Sequence, residues 1–195
     1  MAEIELPNPH ELEERREKGF TRRVALVTAI YAVALAVAAL GGNGYGREML
    51  LAQQQASDQW AFYQARSIRE HQYRGQKLRL ELDLLERGAA MKPEARARAE
   101  ALLRKFGDEE KRYNTSKEPI KVEAEKLEHE RDLARRRLFN FEYAEVFLQI
   151  AIVLASVSIL AVSRLMFSVS LVAAVAGAAL AINGFTLLAT LPGAH

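Results

Sequence analysis

The chain has 195 residues, no cysteine, 27 Lys and Arg against 25 Asp and Glu, and a formal net charge of +2. Without a thiol, disulfides, thiolate nucleophiles and Cys-ligated zinc or iron–sulfur centres are excluded, and the balanced charge lacks the one-sided basic field that nucleic-acid binding uses. The charged 27% is unevenly spread, because Val24–Leu40 carries no charge and Val146–Leu191 carries only Arg164.

Residues 1–23 form a tail with six acidic side chains and the basic residues Arg15, Arg16, Lys18, Arg22 and Arg23. Residues 24–42 then read as a first transmembrane helix, since a bilayer core of about 30 Å takes about 20 helical residues. Ala36-Val37-Ala38 has the spacing of a signal cleavage site, but the acidic, long tail before it favours a retained anchor. Four glycines between Gly41 and Gly46 should break or hinge the helix at the membrane surface.

Residues 43–145 read as a charged helical domain. A first helix over Arg47–Arg87 carries the stripe Met49, Ala52, Ala56, Trp60, Tyr63, Leu78, Leu82 and Leu85, whose steps approach an 11-residue repeat. A short helix starting at Pro93 and ending before Gly107 should cap it, with Asp108–Lys117 a polar loop. Pro119 then restarts a helix with the stripe Ile120, Ala124, Leu127, Ala134, Leu138 and Phe141, interrupted by Arg131. Two helices that leave and return to one membrane surface should pair antiparallel, and aligning Arg47 with Glu145 sets Arg74 against Glu118. Trp60, Phe62 and Tyr63 cannot all face one seam, so this segment, with Gln53 and Gln54, is a candidate interaction surface for a partner helix, or else a cover for the short helix.

The run Val146–Leu191 is too long for one crossing and must fold back. Spans over 146–162 and 166–191 with a tight turn at 163–165 account for it, leaving a tail at 192–195. Association in lipid depends on small residues that let backbones approach. Candidates are Ala25, Ala29, Ala32 and Ala36 in the first span, Ala151, Ala155 and Ser158 in the second, and Ala173, Gly177, Ala181 and Gly184 in the third. Gln149 and Asn183 are the candidate intramembrane polar residues, as interhelical hydrogen-bond partners or as the lining of an oligomeric pore. The cluster Arg135-Arg136-Arg137 is a candidate headgroup contact. The basic tail and Arg164 place the N-terminus in the cytoplasm and the helical domain outside it.

The run AQQQASDQWAFYQARSIRE, the basic N-terminus with its single span and glycines, and the closing two-span segment resemble the bacterial membrane family DUF4337. The resemblance implies a three-span bacterial inner-membrane protein with a helical central domain, and no activity, cofactor or catalytic residue.

The expected fold is therefore an all-α membrane protein, with three transmembrane helices and an extramembrane antiparallel hairpin stalk of coiled-coil type. His10, His71, His129 and His195 are too scattered for a helical metal pair, and no phosphate loop or nucleophile motif is present. The expected function is non-enzymatic, without a cofactor. The protein would contact membrane lipid and self-associate or scaffold a partner, with a channel or transporter subunit as the alternative.

Overall fold

The computed structural model describes residues 9–189, and every regular element among them is helical. Helix α1 spans Pro9–Arg87, a single 3-10 turn covers Gly88–Ala90, α2 spans Pro93–Leu160 and α3 spans Arg164–Thr186. Each long helix contains an apolar window long enough to cross a bilayer, which is compatible with a multi-pass membrane protein. The first eight residues, Leu191 and the tail 192–195 with His195 lie outside the described residues, as do the side chains of His10 and Arg15.

The chain forms two compact units, Met1–Met49 with Asp132–His195, and Leu50–Arg131. In the first, the buried core is Val24, Tyr31 and Ala38 from α1, Phe141, Ala144, Leu148, Ala151 and Ala155 from α2, and Ala174 from α3. Seven-residue spacing organises it: Val24, Tyr31 and Ala38 on one helix, Phe141, Leu148 and Ala155 on the next, Ser170, Gly177 and Gly184 on the third. That repeat keeps one face of a helix on its neighbours over many turns.

The glycines do not break α1. A Cβ on Gly41 would come 2.7 Å from the Phe141 ring and one on Gly42 would come 3.3 Å from the Phe141 Cβ. Glycine in a helix interior costs about 1 kcal/mol relative to alanine. Burying one Phe side chain returns about 1.5–3 kcal/mol, so tertiary packing outweighs propensity here. The expected hinge is a socket for an aromatic ring. Gly184 of α3 closes the same socket from the other side, its added Cβ falling 2.7 Å from that ring, and Gly177 lets α3 approach α2 closely, since a Cβ added there would fall 2.9 Å from Leu148 and 3.0 Å from the Ala144 carbonyl.

Two further expectations are corrected in the connections. Asp108–Lys117 is helical rather than a loop, and α2 begins at Pro93 rather than Pro119, so the short cap helix is its opening turns. Pro93 tolerates the first position because its missing N–H has no intrahelical partner there. Pro119 lies inside α2. The polar composition of 108–117 misleads because these residues meet polar partners on α1, as described below. The turn between α2 and α3 falls at 161–163, so α3 starts at Arg164. Val162 sits there with φ 47°, and the amide of Ser163 donates to the Ser158 carbonyl at 3.1 Å, the bond of a Schellman ending.

In the Leu50–Arg131 unit, partners on α2 descend in number as those on α1 rise. Gln53 Oε1 accepts from Arg131, Trp60 Nε1 donates to Glu128, Arg66 donates to Ser116 and Lys77 to Glu110. Arg74 faces Glu110 at 4.0 Å and not Glu118. Against the expected alignment, the partners on α2 lie earlier in the chain by between four residues, at Trp60–Glu128, and ten, at Arg66–Ser116.

Candidate functional site

The inward line of α1 in this unit runs through Ala52, Ala56, Trp60 and Tyr63, continuing through Ser67, Glu70, Tyr73, Lys77, Leu80 and Leu84. It follows a heptad and not an 11-residue repeat. The expected Leu78, Leu82 and Leu85 are exposed, at 55%, 55% and 83%. Polar residues occupy the middle of the seam instead, which is why apolar pattern alone misplaced it.

Those polar residues form a repeated constellation. α1 presents Glu70, Tyr73 and Lys77, and α2 presents Glu110, Tyr113 and Lys117, the same residue types at the same spacing. Opposed chain directions bring each Glu to the other helix's Lys. Lys117 Nζ donates to Glu70 Oε2 at 2.5 Å and Lys77 Nζ to Glu110 Oε2 at 3.2 Å. Between the two ion pairs the Tyr73 and Tyr113 rings stack, with centroids 5.7 Å apart and planes 12° apart. Arg69 and Arg112 each donate to the Tyr113 hydroxyl at 3.3 Å, which holds that phenol below its ordinary pKa. The bond to Glu70 raises the Lys117 ammonium above its ordinary value.

Chemically this constellation specifies alignment. The Lys117–Glu70 pair is largely buried, with side chains 13% and 12% exposed, and a buried pair adds little net stability while making mismatched registers expensive. Sliding one helix by a turn would leave two buried charges opposite the wrong groups. The sequence carried the signal, as the repeated Glu-x-x-Tyr-x-x-x-Lys, but composition had assigned half of it to a loop.

The expected surface residues separate. Trp60 and Tyr63 meet edge to face at 5.6 Å and lean into the seam, and Gln53 is bonded to Arg131. Phe62 and Gln54 are exposed. Among the basic cluster, Arg137 donates to the Tyr45 hydroxyl at 2.7 Å with its guanidinium over that ring, and Arg135 lies 5.5 Å over the Phe139 ring. Arg136 is exposed.

Of the small residues, Ala29 and Ala36 are exposed, as are Ala25 and Ala32; α1 turns Val24, Tyr31 and Ala38 inward instead. Counting alanines every four residues follows a row that winds away from the neighbours, while a seven-residue row does not. Ala155, Gly177 and Gly184 are buried, and Ala173 and Ala181 are partly buried.

Asn183 Nδ2 donates to Asn140 Oδ1 at 2.6 Å, joining α3 to α2. Its amide also holds Ala189 through both backbone groups at 2.8 Å, fixing the chain after α3. Asn140 is buried and donates to the Arg136 carbonyl at 2.8 Å. It lies ahead of the apolar run, where a search for intramembrane polar residues misses it. Gln149 is exposed.

Among the described residues no group of three or more His, Asp or Glu is arranged to hold a metal ion. No curated protein matches the chain, and no solved structure matches it. A family model described as domain of unknown function, DUF4337, matches residues 20–187. The chain therefore belongs to the DUF4337 family.

Proposed function

We propose that this is a non-enzymatic integral protein of the bacterial inner membrane that self-associates through its helical hairpin. Three apolar helices would cross the bilayer, with the N-terminal tail in the cytoplasm and the antiparallel hairpin of α1 and α2 in the periplasm. Basic residues resist translocation, and Arg16, Lys18, Arg22, Arg23 and Arg164 flank the spans on the proposed cytoplasmic side.

One observation carries the self-association. Leu78, Leu82 and Leu85 fall on one stripe of α1, three and four residues apart, and face away from α2. Exposed apolar stripes of this kind mark interaction sites. A second copy suits this one, because two chains inserted the same way in one bilayer are related by a two-fold axis along the membrane normal, which sets Leu78, Leu82 and Leu85 each against its own counterpart, and homo-oligomers are most often two-fold dimers.

Light scattering of the detergent-solubilised full chain, corrected for bound detergent, tests the reading. The native chain should run at twice its 21.8 kDa mass or a higher multiple, and L78Q/L82Q/L85Q should run as a monomer. A native chain that stays monomeric at all concentrations removes the reading.

A further inference from the structure

We propose that a pocket between α1 and the start of α3 binds the phosphate of an anionic phospholipid headgroup. The inference rests on the membrane-embedded reading above. The cavity measures about 570 Å³, within the range of small-ligand sites.

Its walls are built for an anion. Arg16 and Arg23 line it from α1 and Arg164 from α3, and no acidic side chain lines it. Among the described residues none of these three guanidinium groups takes part in an ion pair or side-chain hydrogen bond. The acids of the same turns, Glu14 and Glu17, line a separate hollow with Lys18 and Arg22. Guanidinium groups bind phosphate oxygens in pairs through parallel N–H donors. The start of α3 adds positive potential, since its first turn holds no acidic residue.

The rest of the lining suits a lipid better than a free ion. Phe20 and Phe167 meet edge to face with centroids 5.9 Å apart and pack against the buried core of this unit. They join the arginines to the apolar surface that acyl chains would cover. Gly19 leaves open space on the α1 wall, where an added Cβ would meet nothing within 4 Å. Arg23 and Arg164 directly precede the apolar runs beginning at Val24 and Leu165, and Arg16 lies two helical turns before the first of them, around the depth at which headgroup phosphates lie. A basic pocket between spans is a physical match for an anionic headgroup.

The test uses the full chain in micelles, with dioleoylphosphatidylglycerol or dioleoylphosphatidylcholine titrated in and bound lipid counted by native mass spectrometry. The native chain should retain the glycerol lipid in preference. Each of Arg16→Gln, Arg23→Gln and Arg164→Gln should lower its affinity about fivefold, from about 1 kcal/mol per basic residue, while Arg104→Gln in the other unit should leave it unchanged. Single variants and far-ultraviolet circular dichroism keep loss of binding distinct from loss of fold. Equal retention of both lipids, or affinity unmoved by all three substitutions, overturns the site. Displacement of the lipid by millimolar inorganic phosphate overturns the lipid as occupant. Carbonate extraction of membranes runs alongside. A chain that washes out removes the membrane reading and the site with it; a chain that stays without lipid preference removes the site alone.

Discussion

Gly41 and Phe141 are in direct packing contact, with the glycine's missing Cβ being the space that the ring occupies, 2.7 Å from where that atom would sit. Gly184 gives up the same space from α3. Phe141 is consequently fully buried between two helices, stacked on Tyr45 and edge-on to Phe185.

Filling either socket should destabilise the protein. Gly41→Ala and Gly184→Ala each force the ring to move, at about 1–3 kcal/mol for overpacking, partly offset by alanine's better helix propensity. Gly44→Ala meets nothing within 4 Å and should stabilise by about 0.5–1 kcal/mol. Thermal unfolding in one detergent, followed by circular dichroism, ranks the three. Equal shifts for Gly41→Ala and Gly44→Ala would remove the socket.

The repeated Glu-Tyr-Lys constellation predicts charge-swap rescue. Glu70→Lys should destabilise by several kcal/mol, because it puts two ammonium groups together at a mostly buried position. Adding Lys117→Glu should recover much of the loss, with a coupling energy of about 0.5–3 kcal/mol. Additive losses in the double variant would show that the pair does not set the alignment.

Alkaline titration should single out Tyr113. Hydrogen bonds from Arg69 and then Arg112 favour its phenolate, so the earliest rise in tyrosinate absorbance should vanish in Tyr113→Phe. Lys117 carries the opposite sign. Its folded pKa is raised by Glu70, so its stabilisation is fully present below the ordinary lysine value and is lost as pH rises through the folded one. The stability gap between the native chain and Lys117→Gln should therefore be constant from pH 7 to 9 and close above about pH 10.5.

Val162 occupies the left-handed region at φ 47° and is half exposed. A β-branched residue there costs about 1–2 kcal/mol, and glycine removes the strain while losing more chain entropy on folding. Val162→Gly should stabilise by about 0.5–1 kcal/mol net in the same melting assay. A lower melting temperature would contradict that turn geometry.

Helical content and the three long apolar stretches were legible in the sequence, because length and missing charge are local properties. The fold-back beside Arg164 was legible too, to within two residues. What sequence reading lost was tertiary. Gly41 and Gly42 read as breakers until Phe141 supplies a reason for them, and Asp108–Lys117 reads as a loop until Glu70 and Tyr73 supply its partners. Leu78, Leu82 and Leu85 read as seam because apolar pattern cannot tell a face turned to α2 from one turned elsewhere. Ala29 and Ala36 failed on a rotation of one position, and Asn140 was passed over because it precedes the apolar run.

Self-association is tested most directly by oxidative crosslinking of Leu82→Cys in native membranes. The chain has no cysteine of its own, so a disulfide between two copies must run through this position and gives a band at twice the mass of the chain. The account predicts a dimer band for Leu82→Cys and none for a cysteine at Ala124, which is buried on α2. Monomer alone from Leu82→Cys, under oxidation that links a known dimer in the same membranes, would contradict it.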